Sequence, residues 1–338
     1  MNYNIKISFD NKLKEDIEKL IYYLNKSGFY KSLIKNKERL DDVSYDKIGD
    51  TGIILKSIPY RMNLPLKKKS SIKKAINNSC ALCDAIEGLD KIEPLSLAKS
   101  ILWRGFIIRP NDFPYMDDHL LIMSSDHNHG FNEDRGSQSE LHMNSNILLD
   151  MFDFYKIMNK KGTMFFNGMA GNTQLHFHFH YTTNTLPIQE YLYEYQDNND
   201  KIIQFETLNK NNLFIFNSSD KNCYNGIFFY GESENLTDDI FQLIKKIKSK
   251  GLEYNIIFMS NHKDDMSNNI SGILYMRDNS KLRKNDPALG ASIVAGYYTR
   301  DDIFRKEVKQ EKISKYIKRI CSAAVVVPNQ EIIKFLLK

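Results

Sequence analysis

The segment Gln174-Leu175-His176-Phe177-His178-Phe179-His180-Tyr181 constrains this chain more than any other. Its aromatic and β-prone residues predict a strand, and strand side chains point to alternate faces. His176, His178 and His180 then share one face, while Leu175, Phe177, Phe179 and Tyr181 share the other. The apolar face suits a core. A row of imidazoles is not built for core stability, so that face is expected to do chemistry, bind metal, or both. The plain alternative is a functionless half-exposed strand or a His-rich metal sponge.

With 338 residues, 42% of them hydrophobic, the chain can bury one large core or two of ordinary size. Net charge is +5 and spread along the chain, which suits an anionic small substrate and does not call for nucleic acid. The cluster Lys67-Lys68-Lys69 with Lys73 and Lys74 reads as a solvated segment. No apolar run reaches the roughly eighteen residues of a membrane span, and the N-terminus lacks the apolar core of a signal peptide. The four cysteines, Cys80, Cys83, Cys223 and Cys321, are too few for a secreted disulfide scaffold, so a reducing cytoplasm is expected.

Residues 11–36 predict a helix striped by Leu13, Ile17, Leu20, Ile21 and Leu24. Strand-like runs follow at 103–109 and 119–123, an amphipathic helix at 138–159, and a further strand at 163–167 before the histidine segment. Beyond about residue 195 the pattern partly recurs. Strands are expected at 212–217, 226–230, 254–259, 272–276 and 291–298, with helices at 236–250 and 302–320. The chain therefore predicts an α+β fold of two related units, 1–195 and 196–338, each an antiparallel sheet with packed helices. The second half has neither a CxxC nor a histidine triplet, so the active site is expected mainly in the first.

Cys80 and Cys83 form a CxxC, which alone reads as a redox pair, half a metal site, or two buried thiols. A thioredoxin-like reading needs a βαβ context that the pattern does not show. A zinc site needs two further ligands, with His119, His127, His129 and the triplet as candidates. Arg104 and Arg109 read as salt-bridge formers before phosphate contacts.

Asn167-Gly168-Met169-Ala170-Gly171-Asn172-Thr173-Gln174 leading into the triplet resembles the signature of the histidine-triad (HIT) superfamily. Upstream, Arg109-Pro110-Asn111-Asp112-Phe113-Pro114 and His119 to His127 resemble the paired strands and following histidine of that fold. The CxxC, the length and the second half-unit are similar to one branch, that of galactose-1-phosphate uridylyltransferase and the dinucleoside-polyphosphate and nucleotide-sugar phosphorylases. The matching region covers roughly residues 78–182. Ser292 to Tyr298 loosely resembles a substrate-side segment of the uridylyltransferases.

The resemblance implies two HIT-like half-units and a structural zinc held by Cys80, Cys83, His127 and His176, with His119 or His129 as substitutes for His127. It implies that His178 is the nucleophile, attacking the α-phosphorus of a nucleotide to give a nucleotidyl-histidine. A neutral imidazole is required, and in the family its other nitrogen donates to a backbone carbonyl. Gly171 would let backbone approach a phosphate. Thr173 and Gln174 would donate to its non-bridging oxygens, and Asn167 and Asn172 complete the expected substrate loop. The branch usually carries glutamine where this chain has His180, and histidine there is typical of the hydrolases. Glutamine can only hydrogen-bond, whereas histidine can also transfer a proton.

The leading expectation is thus a nucleotidyltransferase or phosphorylase acting on a nucleotide sugar or dinucleoside polyphosphate. The acceptor is phosphate, sugar phosphate or water. A HIT-type hydrolase is the alternative, and a non-catalytic nucleotide- or zinc-binding protein stands in a different class. The resemblance also implies a homodimer with shared sites, with no membrane partner.

Overall fold

The computed structural model describes residues 5–26, 44–48, 53–57, 82, 99–111, 114–125, 143–171, 176–197, 206–209, 213–216, 224–260, 269–283, 286, 289–299, 310–328, 332, 334 and 335. In chain order the elements begin β1 (Ile5–Ile7), α1 (Asp10–Lys26), β2 (Ser44–Ile48), β3 (Ile53–Ser57), β4 (Ser100–Trp103), β5 (Phe106–Pro110) and β6 (Leu120–Ser124). Next come α2 (Ser145–Ile157), β7 (Thr163–Phe166), α3 (Gly168–Gly171), β8 (His178–Thr182), α4 (Pro187–Asp197), β9 (Glu206–Asn209) and β10 (Leu213–Phe216). The last are β11 (Gly226–Glu232), α5 (Ser233–Ser249), β12 (Glu253–Met259), β13 (Asn269–Arg277), α6 (Ala291–Val294), β14 (Tyr297–Thr299) and α7 (Gln310–Ala324).

The chain is α+β and forms two compact units. One comprises 1–43, 58–143 and 173–183, the other 44–57, 144–172 and 184–338. Each unit is assembled from interleaved segments of the sequence.

The first unit is built on strands in the order β1-β4-β5-β6-β8. Its pairings are antiparallel except β1 with β4, which run parallel. This departs from the all-antiparallel sheet expected from sequence. A parallel pair needs a crossover connection, and the long segment containing α1 lies between β1 and β4. On α1 the residues Leu13, Ile17, Leu20 and Leu24 are buried at helical spacing, as their periodicity predicts. Asp16 is buried among them and accepts from Lys6 Nζ at 3.0 Å and Ser8 Oγ at 2.8 Å, which offsets its desolvation.

The run 103–109 is two strands, not one. Arg104 and Gly105 have φ of 45° and 78° and make a two-residue hairpin loop with Trp103 opposite Phe106. Arg-Gly is not a usual signal for that turn, so the β-prone flanks mask it. Arg104 is held there by an ion pair with Asp10.

Cross-strand register sets the two faces of this sheet. Ile101, Ile108, Ile122 and Phe179 form one row, all fully buried. Burying side chains of this size stabilises the fold by about 1.5–3 kcal/mol each. On the opposite face, Ile107, Met123 and His178 stand in line, as do Arg109, Leu121 and His180. Leu82 packs in a cluster with Ile5, Ile107, Leu121 and Met123 on that histidine-bearing face.

The second unit carries an antiparallel series, β7-β12-β13-β11-β10-β9, and a separate sheet ordered β14-β3-β2. In the small sheet β14 runs parallel to β3. Phe152 and Tyr155 of α2 meet Phe258 of β12 at ring separations of 5.4 and 6.3 Å, and Phe229 of β11 meets it at 5.9 Å. Asn144 caps α2, its Oδ1 accepting from the Ile147 amide at 2.9 Å. The strand expected over 291–298 is instead the short helix α6 followed by β14. Gly290 caps that helix in extended conformation, and tertiary packing overrides the β-prone Ile293-Val294 pair. Among the described residues no helix is long and apolar enough to cross a membrane.

Candidate active site

The histidine strand is shorter than its alternation predicts. β8 begins at His178, with His176 and Phe177 preceding it, and the Ser124 amide donating to the Phe177 carbonyl at 3.1 Å extends the contact with β6. His178 and His180 share a face, with ring centroids 4.9 Å apart. All three triplet histidines are buried. Their apolar companions Phe177, Phe179 and Tyr181 are buried too, so the strand is covered on both sides.

His178 Nδ1 lies 2.6 Å from the His176 carbonyl oxygen. A carbonyl can only accept, so Nδ1 carries the proton and Nε2 carries the lone pair. Burial pushes the ring below the ordinary imidazole range, opposed by the hydrogen bond to the His176 carbonyl. The result is a neutral imidazole with a fixed tautomer, the state a nitrogen nucleophile requires.

His180 is paired with His119, which the sequence offered only as a candidate zinc ligand. His119 Nε2 lies 2.9 Å from His180 Nδ1, and His119 has no exposed surface. The Tyr115 amide points at His119 Nδ1 from 3.5 Å, and an amide can only donate. Of His119 Nε2 and His180 Nδ1, one carries the proton of the bond and the other accepts it. Asn111 Nδ2 also approaches the His119 ring at 3.3–3.4 Å. Thr182 Oγ1 donates to the Asp117 carbonyl at 2.6 Å and Thr183 Oγ1 to Asp118 at 3.0 Å, tying the turn before His119 to the end of β8. Asp118 holds φ at 47°, a left-handed value that this bracing supports.

His176 donates from Nε2 to the Ser124 carbonyl at 2.7 Å. That leaves the lone pair on Nδ1, and a metal-ligating histidine commonly donates its other nitrogen in this way. The geometry of His176 fits a zinc ligand on that test. Cys80, Cys83 and His127 lie outside the described residues, as do the substitute His129 and the loop residues Asn172, Thr173 and Gln174. Among the described residues no group of three or more His, Cys, Asp or Glu side chains could hold a metal ion.

The start of the expected substrate loop belongs to the second unit. Asn167 follows β7, whose last residue Phe166 pairs with Ile256 of β12. Its Oδ1 accepts from the Ala291 amide at 2.8 Å, and its carbonyl accepts from Asn255 Nδ2. Asn167 therefore anchors the loop. Gly168 has φ of 55°, and a Cβ on it would stand 2.3 Å from the Tyr254 carbonyl oxygen. A Cβ on Gly171 would stand 2.4 Å from Gly290 Cα and 2.4 Å from the Leu289 carbonyl oxygen. The close approach that Gly171 permits here is by protein backbone.

No family model matches the sequence, and no curated protein matches it. Among solved structures, the chain is similar to yeast Ap4A phosphorylase Apa2. The complex with Ap4A is 13% identical with a TM-score of 0.53, covering 94% of this chain and 98% of that one. The complex with AMP is 12% identical with a TM-score of 0.52 and the same coverage. A third structure of that enzyme is 10% identical with a TM-score of 0.51, covering 95% of this chain and 97% of that one. At such identities the likeness is one of fold.

Proposed function

We propose that this chain is a nucleotidyltransferase of the phosphorylase type, cleaving a dinucleoside polyphosphate or nucleotide sugar at its α-phosphate. The observation that carries the reading is the hydrogen bond from His178 Nδ1 to the His176 carbonyl. It presents Nε2 as an in-line nucleophile. The Nε2–P bond forms as the bond from phosphorus to the leaving oxygen breaks, and the leaving group departs as a nucleoside polyphosphate or a sugar phosphate. The ring then carries positive charge, which the His176 carbonyl stabilises through Nδ1–H. In the second step the acceptor's oxygen attacks phosphorus, the Nε2–P bond breaks and neutral His178 is restored. The likeness to a phosphorylase solved with Ap4A and with AMP supports this substrate class.

Asn167, Gly171, Asn172, Thr173 and Gln174 would form the phosphate loop. Cys80, Cys83, His127 and His176 would hold one structural zinc, which when bound contributes folding energy and not chemistry. Leu82, which sits in sequence between the two cysteines, packs with Met123, the residue before Ser124, and this supports the assignment. The cytoplasm keeps such thiols reduced. The HIT-like half-units 1–195 and 196–338 and the homodimer belong to the same reading.

The second reading, hydrolysis, is favoured by the buried His119–His180 pair, which can carry a proton to or from water. The test incubates the enzyme with α-labelled Ap4A or nucleotide sugar and quenches in base, which phosphoramidates survive. Wild type should carry label and His178→Ala none, with fold retained. A phosphate-dependent product then marks the phosphorylase and a phosphate-independent one the hydrolase. Wild type without label in a single turnover, or label undiminished in His178→Ala, overturns the mechanism.

A further inference from the structure

The second unit holds a closed hydrogen-bonded circuit that no sequence motif announces. Arg277, at the end of β13, is completely buried. Its Nη1 donates to Asn255 Oδ1 and to the Leu289 carbonyl at 2.7 Å, its Nε to the Ala324 carbonyl at 3.4 Å and its Nη2 to Asn279 Oδ1 at 3.3 Å. Asn255, also fully buried, passes the chain on, donating from Nδ2 to the Asn167 carbonyl. Asn167 Oδ1 closes the ring on the Ala291 amide, two residues beyond the Leu289 carbonyl that Arg277 already grips.

We infer that Arg277 and Asn255 are positioning residues for the nucleotide-phosphate loop, acting through the Asn167 carbonyl; this rests on the functional reading above. Interior placement makes each bond of the circuit costly to break, because a buried polar group left unmatched loses its solvation without return. Desolvating a guanidinium is also costly, and here the acceptors named are two backbone carbonyls and two asparagine oxygens. One of them, the Leu289 carbonyl, belongs to the backbone that walls the loop, and Asn255 follows Tyr254, whose carbonyl walls it too. Leu289 and Gly290 fill the space beside Gly171, and the Tyr254 carbonyl fills the space beside Gly168. The segment 167–171 thus rests directly on backbone that Arg277 and Asn255 hold, and it runs in sequence straight into Asn172, Thr173 and Gln174. A loop that must meet the non-bridging oxygens of a reacting phosphate has to be placed within a fraction of an ångström.

The informative substitution is Asn255→Asp. A carboxylate still accepts from Arg277, and more strongly, but it cannot donate to the Asn167 carbonyl and presents an oxygen to it. Three quantities are compared with wild type: thermal midpoint, amide hydrogen exchange of residues 168–171, and the single-turnover rate of label transfer from α-labelled Ap4A to His178. The expected result is a lowered midpoint with the fold retained at assay temperature, exchange at least tenfold faster, and label transfer at least tenfold slower. The loss should fall on kcat more than on KM, a split that general loosening would not produce. Should Asn255→Asp fail to accumulate as folded protein, Asn255→Ser, too short to span to Asn167, carries the same expectations. Unchanged exchange overturns the inference, and so does faster exchange with an unaltered transfer rate. A wild type that forms no nucleotidyl-enzyme overturns the functional reading, and the loop's catalytic role with it, whatever the exchange shows.

Discussion

His119 Nε2 sits 2.9 Å from His180 Nδ1, with both rings buried. His119 is on the turn into β6 and His180 is on β8, so the pair depends on the β6–β8 register that sets Leu121 opposite His180. Removing His119 takes away a buried hydrogen bond of His180. His119→Ala should therefore lower turnover about 100-fold, the range of a lost proton-transfer partner, and cost about 1–3 kcal/mol of stability. His180→Gln should be mild in a phosphorylase, where an amide serves the same hydrogen bond, and severe in a hydrolase that needs a proton carrier. Steady-state rates with and without phosphate read both variants. Full activity in His119→Ala would remove the pair from the mechanism.

Gly171→Ala should destabilise the fold. The new methyl would meet the Leu289–Gly290 backbone 2.4 Å away, and backbone cannot swing aside as a side chain does. Overpacking of this kind costs about 1–3 kcal/mol. Urea denaturation of the variant is the measurement, and an unchanged midpoint would mean that the 289–290 segment does not lie against the loop.

Purified protein should hold about one zinc per chain, the stoichiometry of a closed four-ligand site. Cys80→Ser should lose the metal and with it much of the stability, because such sites form only as the chain folds. Elemental analysis with a parallel melting curve tests both. Metal-free wild type of normal stability would refute the assignment, and retention of zinc in His127→Ala would transfer that ligand to His119 or His129.

Asp286 and Arg319 form a two-pronged pair at 3.0 and 2.6 Å. The Arg319 guanidinium holds the Asp286 carboxyl below its usual range, against the opposing effect of burial. A carboxyl depressed in the folded state contributes stability above its unfolded pKa of about 3.9 and loses it as pH falls through the folded value. Arg319 is partly exposed, so the contribution is discounted to about 1 kcal/mol. Arg319→Gln should therefore weaken the protein at pH 7 and much less at pH 3. Equal loss at both values, measured by urea titration, would show that the pair adds nothing through charge.

Sequence alone marked the regular elements of this chain and its candidate chemical residues. The alternation of histidine with aromatic residues marked β8 and its two faces, and helical spacing marked α1, α2 and α5, because such periodicities report which face of an element is buried. The same residues, with the loop before them, carried the resemblance, and the fold is similar to that of a phosphorylase at 13% identity. Tertiary structure decided everything that rests on atoms distant in sequence. The Arg104-Gly105 hairpin, the helix at Ala291–Val294 and the parallel β1–β4 pair all run against or beyond local propensity. His119 acquires its role from the register of β6 on β8. His176 takes its orientation from the Ser124 carbonyl, 52 residues away in sequence. Arg277 and Asn255 meet Asn167 only because β12 lies between β13 and β7. A hydrogen bond between groups far apart along the chain leaves no period or spacing in the sequence; it exists once packing has brought its donor and acceptor within about 3 Å.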